Sequence, residues 1–246
     1  MAMSLAAITQ KETVKDCEFE IAGMKETYDE LRIAQEEVGG TFVWRAKIPS
    51  GGGRSFEITE GDNLIASVPS FSGVIIHNYK CNARYGSEMG LPPICSSLDG
   101  NNGLDTETGE MLECKNCEYN KYGTDKNGRG KACKNMHRVY VLTEGNPIPV
   151  LLSIAPTSLR NWQDYRLSLA SKKLKPSEVK TEFSLEIKSN SEKTNYSVVK
   201  FNLEGKISAE AAAIAAMVEN GFKATTEITA DDYNRREAAA DESGNA

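Results

Sequence analysis

The chain has 246 residues, 39% hydrophobic and 26% charged, with a net charge of −6, which suits an ordinary globular protein with one sizeable core. No apolar run approaches the ~18 residues of a membrane-spanning helix, and the overall acidity excludes a uniformly basic nucleic-acid binder. The charge is unevenly spread, however. Residues 1–40 and the stretch beyond 228 are acidic, whereas Lys115, Lys121, Lys126, Arg129, Lys131, Lys134 and Arg138 make 115–138 basic, and Arg160, Arg166, Lys172, Lys173 and Lys175 form a second basic run.

In chain order, Met24, Tyr28, Leu31 and Val38 sit at helical spacing before Gly39-Gly40, which predicts an acidic amphipathic helix within an N-terminal extension, 1–40. Residues 41–48 (TFVWRAKI) read as a strand ended by Pro49, 50–54 as a Gly-rich turn and 55–58 as the return strand. The Gly-rich tip lacks the G-K-[ST] of a phosphate-binding loop. Residues 71–79 read as a buried strand, with 80–85 as its extension towards the cysteine-rich segment, and strands recur at 138–142 and 150–154. Thr157-Ser158 can cap a helix carrying Leu159, Trp162, Tyr165 and Leu169, which fades at Lys175-Pro176. Residues 182–189 and 195–203 alternate as a hairpin, with Phe183, Leu185, Ile187, Val199, Phe201 and Leu203 inward. Ser208 caps an Ala-rich helix within 206–226, and 227–246 is an apolar-poor acidic tail with a disordered composition.

The organising feature lies between these strands. Cys114 and Cys117 are spaced C-x2-C, flanked at a distance by Cys95 and Cys133. Two thiolates on one tight turn can reach a single tetrahedral ion at about 2.3 Å. The intervening sequence is rich in Gly, Asn, Asp and Lys, and too poor in aliphatic side chains to offset the entropy of ordering it. Four of the six cysteines lie here, and the N-terminus is a poor secretory signal, so the pattern favours metal in a reducing compartment over disulfides. The expected ligands of a structural Zn2+ are Cys95, Cys114, Cys117 and Cys133; His137 could replace Cys133 and Cys81 could replace Cys95. Four thiolates leave no open position for substrate.

The expected fold class is therefore α+β: an OB-like β-barrel over 41–205, with a zinc-ribbon-like loop inserted at 86–137 and helices flanking it. No catalytic constellation is found. The only histidines are His77 and His137, there is no G-x-S-x-G elbow, and no H-x-E partners the Cys pair for deaminase chemistry. The expectation is a binding protein and not an enzyme. Single-strand binders combine cationic grooves with aromatic faces. The candidate contacts are Trp44, Tyr79, Tyr85, Lys115, Tyr119, Lys121, Tyr122, Lys126, Arg129, Lys131, Lys134 and Arg138. For any one lysine a solvated surface is the plainer explanation. For Trp162, Phe183 and Phe201, and nearly so for Trp44, that explanation is core packing.

The segments KIPSGGGRSFEI, PPICSSLDGNNG, CKNCEYNKYGTDKNGRGKACKNMHRVYVL and PVLLSIAPTSLRNWQDYRLSL resemble a family of proteins carried by bacteriophages and mobile elements, over roughly 41–205. The resemblance implies single-stranded DNA as partner, a role in replication or recombination, and the bacterial cytoplasm as location; it carries over no catalytic residue. The acidic C-terminal tail could recruit replication or recombination proteins, and no membrane contact is expected. The alternative is a zinc-ribbon adaptor that binds proteins in replication, transcription or virion assembly, which the overall acidity favours.

Overall fold

Strand β4 (Ser70–Arg84) runs through the middle of the fold and joins its parts. This computed structural model describes residues 14–21, 27, 29–30, 33–34, 37, 43–49, 51–88, 91–190 and 193–221. The chain is α+β, built on one mixed sheet of 11 strands, ordered β3-β2-β1-β9-β8-β4-β5-β6-β7, with β10 and β11 branching from β4. The remaining strands are β1 (Trp44–Lys47), β2 (Phe56–Glu60), β3 (Asn63–Val68), β5 (Cys95–Ser97), β6 (Asn102–Asp105), β7 (Met111–Glu113), β8 (Cys133–Leu142), β9 (Val150–Ile154), β10 (Val179–Ser189) and β11 (Asn195–Lys206). The helices are α1 (Leu159–Ser171) and α2 (Ala209–Gly221). All strand pairs are antiparallel except β1 with β9. No helix among the described residues is long and apolar enough to cross a membrane.

Val74 of β4 pairs both with Leu142 of β8 and with Lys180 of β10, so β8 holds one edge of β4 and β10 the other. At the far end of β4, Asn82–Arg84 pair with β5 on the same edge as β10. The long strand thus carries the β10–β11 hairpin at one end and the cysteine loop at the other.

Alternation along the central strands buries both faces, because successive side chains point to opposite sides. Ile75, Val139, Val141, Val150, Leu152 and Ile154 meet Trp162, Tyr165 and Leu169 of α1 on one face. On the other, Val74, Ile76, Tyr140, Leu142 and Leu151 meet Phe19, Ile21 and the small face of α2 at Ala211, Ala215 and Val218. Ser208 Oγ accepts the Ala211 N–H at 3.1 Å, the expected N-cap of α2. At α1 the expected cap is absent: Ser158 makes no side-chain cap, and its Oγ accepts the Val199 N–H from β11 at 2.9 Å instead. Tertiary pairing has taken the hydroxyl that the helix end would have used.

The sheet curls but does not close into the expected barrel. Phe56 of β2 packs edge-on against Phe71 of β4, which stacks on Phe183 of β10 at 4.8 Å, so the ends of the curl approach each other over one core. The β1–β2 turn then meets β11 through Ser197 Oγ, which donates to Gly53 O at 2.8 Å. Gly52 fits there because a Cβ on it would lie 2.7 Å from that of Asn195. The meeting is made by a turn and side chains, and no backbone ladder joins β11 to β1, β2 or β3 among the described residues. Of the helix expected over 24–38, Thr27, Asp29, Glu30, Ile33, Ala34 and Glu37 are helical; the rest of it, and the tail at 227–246, lie outside the described residues.

His137 is 5% exposed on the α1 face, with Nε2 3.0 Å from Asn78 Oδ1 and its ring 5.2 Å from that of Trp162. Burial, reinforced by Arg166 and Lys80, lowers its pKa to about 4. The unfolded chain, with an ordinary histidine near 6.5, binds the proton first as pH falls. Stability from neutral His137 is therefore complete above about pH 6.5 and is lost towards pH 4. Urea denaturation at pH 7 and pH 5 should show His137→Gln losing less stability than the parent over that interval, by roughly 2 kcal/mol. Equal losses would mean that His137 is not buried as a neutral group.

Candidate metal centre and basic loop

Arg84 closes β4 between two cysteines: it is paired with Cys95 of β5 on one edge and with Cys133 of β8 on the other. Directly paired residues share a sheet face, so the side chains of Cys95, Arg84 and Cys133 emerge on one side. Their spacing across two ladders is about 9–10 Å between the outer Cα atoms, a span that two inward-pointing thiols can narrow to a shared ion. The C-x2-C turn comes in above this row. A Cβ built on Gly103 of β6 would lie 3.1 Å from Cys95 Sγ and 3.7 Å from Cys114 Sγ, so the two sulfurs flank one glycine that has no room for a side chain. Cys95, Cys114 and Cys133 are buried, Cys117 is half-buried, and none forms a disulfide.

The thiols also influence one another electrostatically. Burial first, then Cys114, Cys95 and Cys117, push the Cys133 pKa up to about 12, while Lys131 acts in the opposite direction. Burial and then Asp105 raise that of Cys95, against Arg84. Without a cation Cys95 and Cys133 hold their protons. Among the described residues no group of three or more His, Cys, Asp or Glu side chains stands ready-placed to hold a metal ion; the thiols are neighbours that would have to turn inward around one.

The alternative ligands are excluded by position. Cys81 pairs with Met136, and lies fully buried on the opposite face of the sheet from Cys133. His137 is on the correct face but four residues along β8, about 13 Å from Cys133 at 3.4 Å per residue, and is packed against Trp162.

Polar contacts order the loop where apolar ones are lacking. Asp99 accepts hydrogen bonds from the Asn102 and Asn101 N–H groups and the Ser97 hydroxyl, which hold its pKa low. Burial opposes ionisation of Asp105, but the Glu107 N–H, the Arg84 charge and the Thr108 N–H outweigh it. Arg84 donates to Asp105 at 2.7 Å and lies 4.2 Å over the Tyr119 ring. Asn120 donates to Cys114 O at 2.8 Å, and Lys131 Nζ bonds Asn120 Oδ1 at 3.2 Å and Asn135 Oδ1 at 3.0 Å. Asn135 in turn donates to Asn82 at 2.7 Å, so the loop is pinned to β4 through β8. Three short strands, β5 to β7, arise within the loop where the sequence showed no alternation.

The expected contact residues separate into groups. Lys115, Lys121, Lys126 and Arg129 are exposed on the loop. Tyr122 is 70% exposed, with Lys131 Nζ 5.2 Å from its ring centre. Tyr119 is half-buried beneath Arg84, and Tyr85 is half-buried against the Cys81–Ala83 cluster. Lys134 is buried, and Arg138 is completely buried and donates to Tyr79 Oη at 3.1 Å. Tyr79 packs beside Tyr140 on the α2 face, and Trp44 is half-buried against the main core. The structure thus gathers Tyr122, Lys131 and the loop cations beside the cysteines, and places Trp44, Tyr79 and Arg138 elsewhere.

The sequence reading missed a cleft of about 140 Å³ between the loop and the start of α1, lined by Tyr122, Gly130, Lys131, Asn135, Pro156 and Leu159 among others. It also missed Arg84 and Asp105, whose only signal was an isolated arginine just before the Cys-rich segment.

The Arg84–Asp105 pair is 13% and 6% exposed, and removing one partner strands the other in a poorly solvated site. Asp105→Ala should cost about 3 kcal/mol of stability by chemical denaturation, whereas Arg84→Met with Asp105→Leu should recover most of it. Additive losses would show that the pair does not couple the loop to β4. Compared with protein-family models, with curated proteins and with solved structures, the chain finds no match, so the reading of this site rests on its own residues.

Proposed function

We propose that this chain binds single-stranded DNA without sequence preference, and that Cys95, Cys114, Cys117 and Cys133 hold one structural zinc ion that fixes the binding loop. What supports the reading is that Cys95 and Cys133 flank Arg84 in register, that the Cys95 and Cys114 sulfurs lie on either side of Gly103, and that the outer surface of the same loop bears Lys115, Lys121, Lys126, Arg129 and the exposed Tyr122. Zinc bound by four thiolates carries a net negative charge and keeps no open position, which is the structural pattern. Arg84 and Lys131 favour the ionised forms of Cys95 and Cys133 respectively, so the cations needed beside such a centre are present.

Backbone phosphates would meet the loop cations, and bases would stack on the accessible aromatic face. Arg138, Lys134 and Trp44 would support the fold instead of touching DNA, given their burial. The role is one of binding without catalysis, in replication or recombination of phage or mobile-element DNA in the bacterial cytoplasm.

A second reading, the protein-binding adaptor, draws on one feature. Leu104 and Met111 are cross-strand partners on β6 and β7 and are 46% and 65% exposed, an apolar spot that DNA would not use. Co-purification of a protein that Leu104→Glu releases, with no binding to DNA, would favour it.

Zinc analysis of the purified protein should give about one ion per chain, lost in Cys114→Ala/Cys117→Ala together with the folded loop. An oligo-dT titration should weaken steeply with salt, and Lys121→Ala/Arg129→Ala should reduce the slope of log Kobs against log salt by about 1.4, at ~0.7 per phosphate contact. Salt-insensitive or absent binding would contradict the DNA reading, and a metal-free protein whose cysteine variant melts normally would contradict the zinc.

A further inference from the structure

We infer that the cleft between the cysteine loop and α1 receives one unpaired base of the bound strand, stacked on Tyr122. This rests on the DNA reading above and specifies what the site recognises: a single-stranded segment through its base, in addition to its phosphates.

Three observations lead to it. First, the cleft joins aromatic and aliphatic surface from two elements, with Tyr122 from the loop and Pro156 and Leu159 from the turn that opens α1. Its volume of about 140 Å³ is far below the ~300–1,000 Å³ that accommodates a drug-sized ligand. It has room for one flat ring. Second, Tyr122 is 70% exposed although it stands beside buried surface, and Lys131 Nζ approaches its ring at 5.2 Å, which steadies the aromatic group without covering it. Third, the surroundings suit an anionic strand. Lys121, Lys126 and Arg129 are exposed on the same loop, and Arg160 at the start of α1, 90% exposed, makes only a long surface pair with Asp164 at 3.9 Å.

The polar wall also sets what the cleft can read. Asn135 is the side chain there best able to contact a base edge, with two amide donor protons and a carbonyl oxygen of two lone pairs. Its Oδ1 already accepts from Lys131 at 3.0 Å, and its Nδ2 donates to Asn82 at 2.7 Å. Lys131 spends two of its three protons on Asn120 and Asn135. One amide proton and one lone pair of Asn135 and one proton of Lys131 remain, a set that can both donate and accept and so refuses no base, and stacking supplies the rest of the binding. A base within a duplex is stacked on its neighbours and cannot enter, which gives the site its preference for single strands.

The experiment compares, by fluorescence anisotropy with the full zinc-loaded protein, an oligo-dT, an oligomer of equal length built entirely of abasic sites, and a duplex. The abasic oligomer should bind roughly 5- to 150-fold more weakly than oligo-dT, the fold-change expected for loss of a base stack. Tyr122→Ala should weaken oligo-dT binding by a similar factor and leave abasic binding unchanged, while Tyr122→Phe, which keeps the ring, should retain tight binding. Equal binding of the abasic oligomer and oligo-dT would overturn the base pocket while leaving phosphate-led DNA binding standing. Equal weakening of both oligomers by Tyr122→Ala would also overturn it. No binding of either oligomer would overturn the pocket and the DNA reading together.

Discussion

The register at the end of β4 is the constraint on which the cysteine loop depends. Arg84 has Cys133 as its neighbour on one edge and Cys95 on the other, so the two outer cysteines, distant in sequence, emerge from adjoining strands on one face. That fixes where the loop leaves the sheet and where it returns. Arg84 then uses its own side chain within the loop, pairing with Asp105 and lying over Tyr119. A single strand end thereby sets both the separation of the thiols and the packing of the segment between them.

The rest of the fold makes that strand end rigid. β4 is buried on both faces, against α1 on one side and α2 on the other, and the ladder to β8 extends from Val74 to Arg84. A strand held in this way transmits a defined position to its last residues at little entropic cost, because its backbone is already ordered. The loop cannot supply that order from apolar contacts of its own. It relies on carboxylate-capped turns at Asp99 and Asp105, on the Lys131–Asn135–Asn82 chain of hydrogen bonds, and, in our reading, on the metal.

Much of this was legible in the sequence, for physical reasons that also explain what was not. The strands at 138–142 and 150–154 announce themselves as short continuous apolar runs because both of their faces are buried, and the hairpin of β10 and β11 by apolar side chains at period two. The C-x2-C spacing pointed to Cys95 and Cys114, whose sulfurs flank Gly103, and to Cys133, which shares the Arg84 position with Cys95. β3 and the three short loop strands were not visible: NLIASV and NGLD show no clean alternation, and their pairing is imposed by turns and by the register of neighbouring strands. Arg138 looked like a surface cation in a basic run, yet period-two alternation at a doubly buried strand sends it inside to Tyr79. Closure of a barrel was equally beyond reach, because alternation reports which faces are buried and carries no information about which distant edges meet.

The zinc proposal turns on whether four thiolates share one ion. X-ray absorption at the zinc edge of the purified protein is the decisive measurement. A single shell of four sulfur neighbours at about 2.3 Å is expected. A shell containing nitrogen or oxygen, or fewer sulfurs, would contradict it.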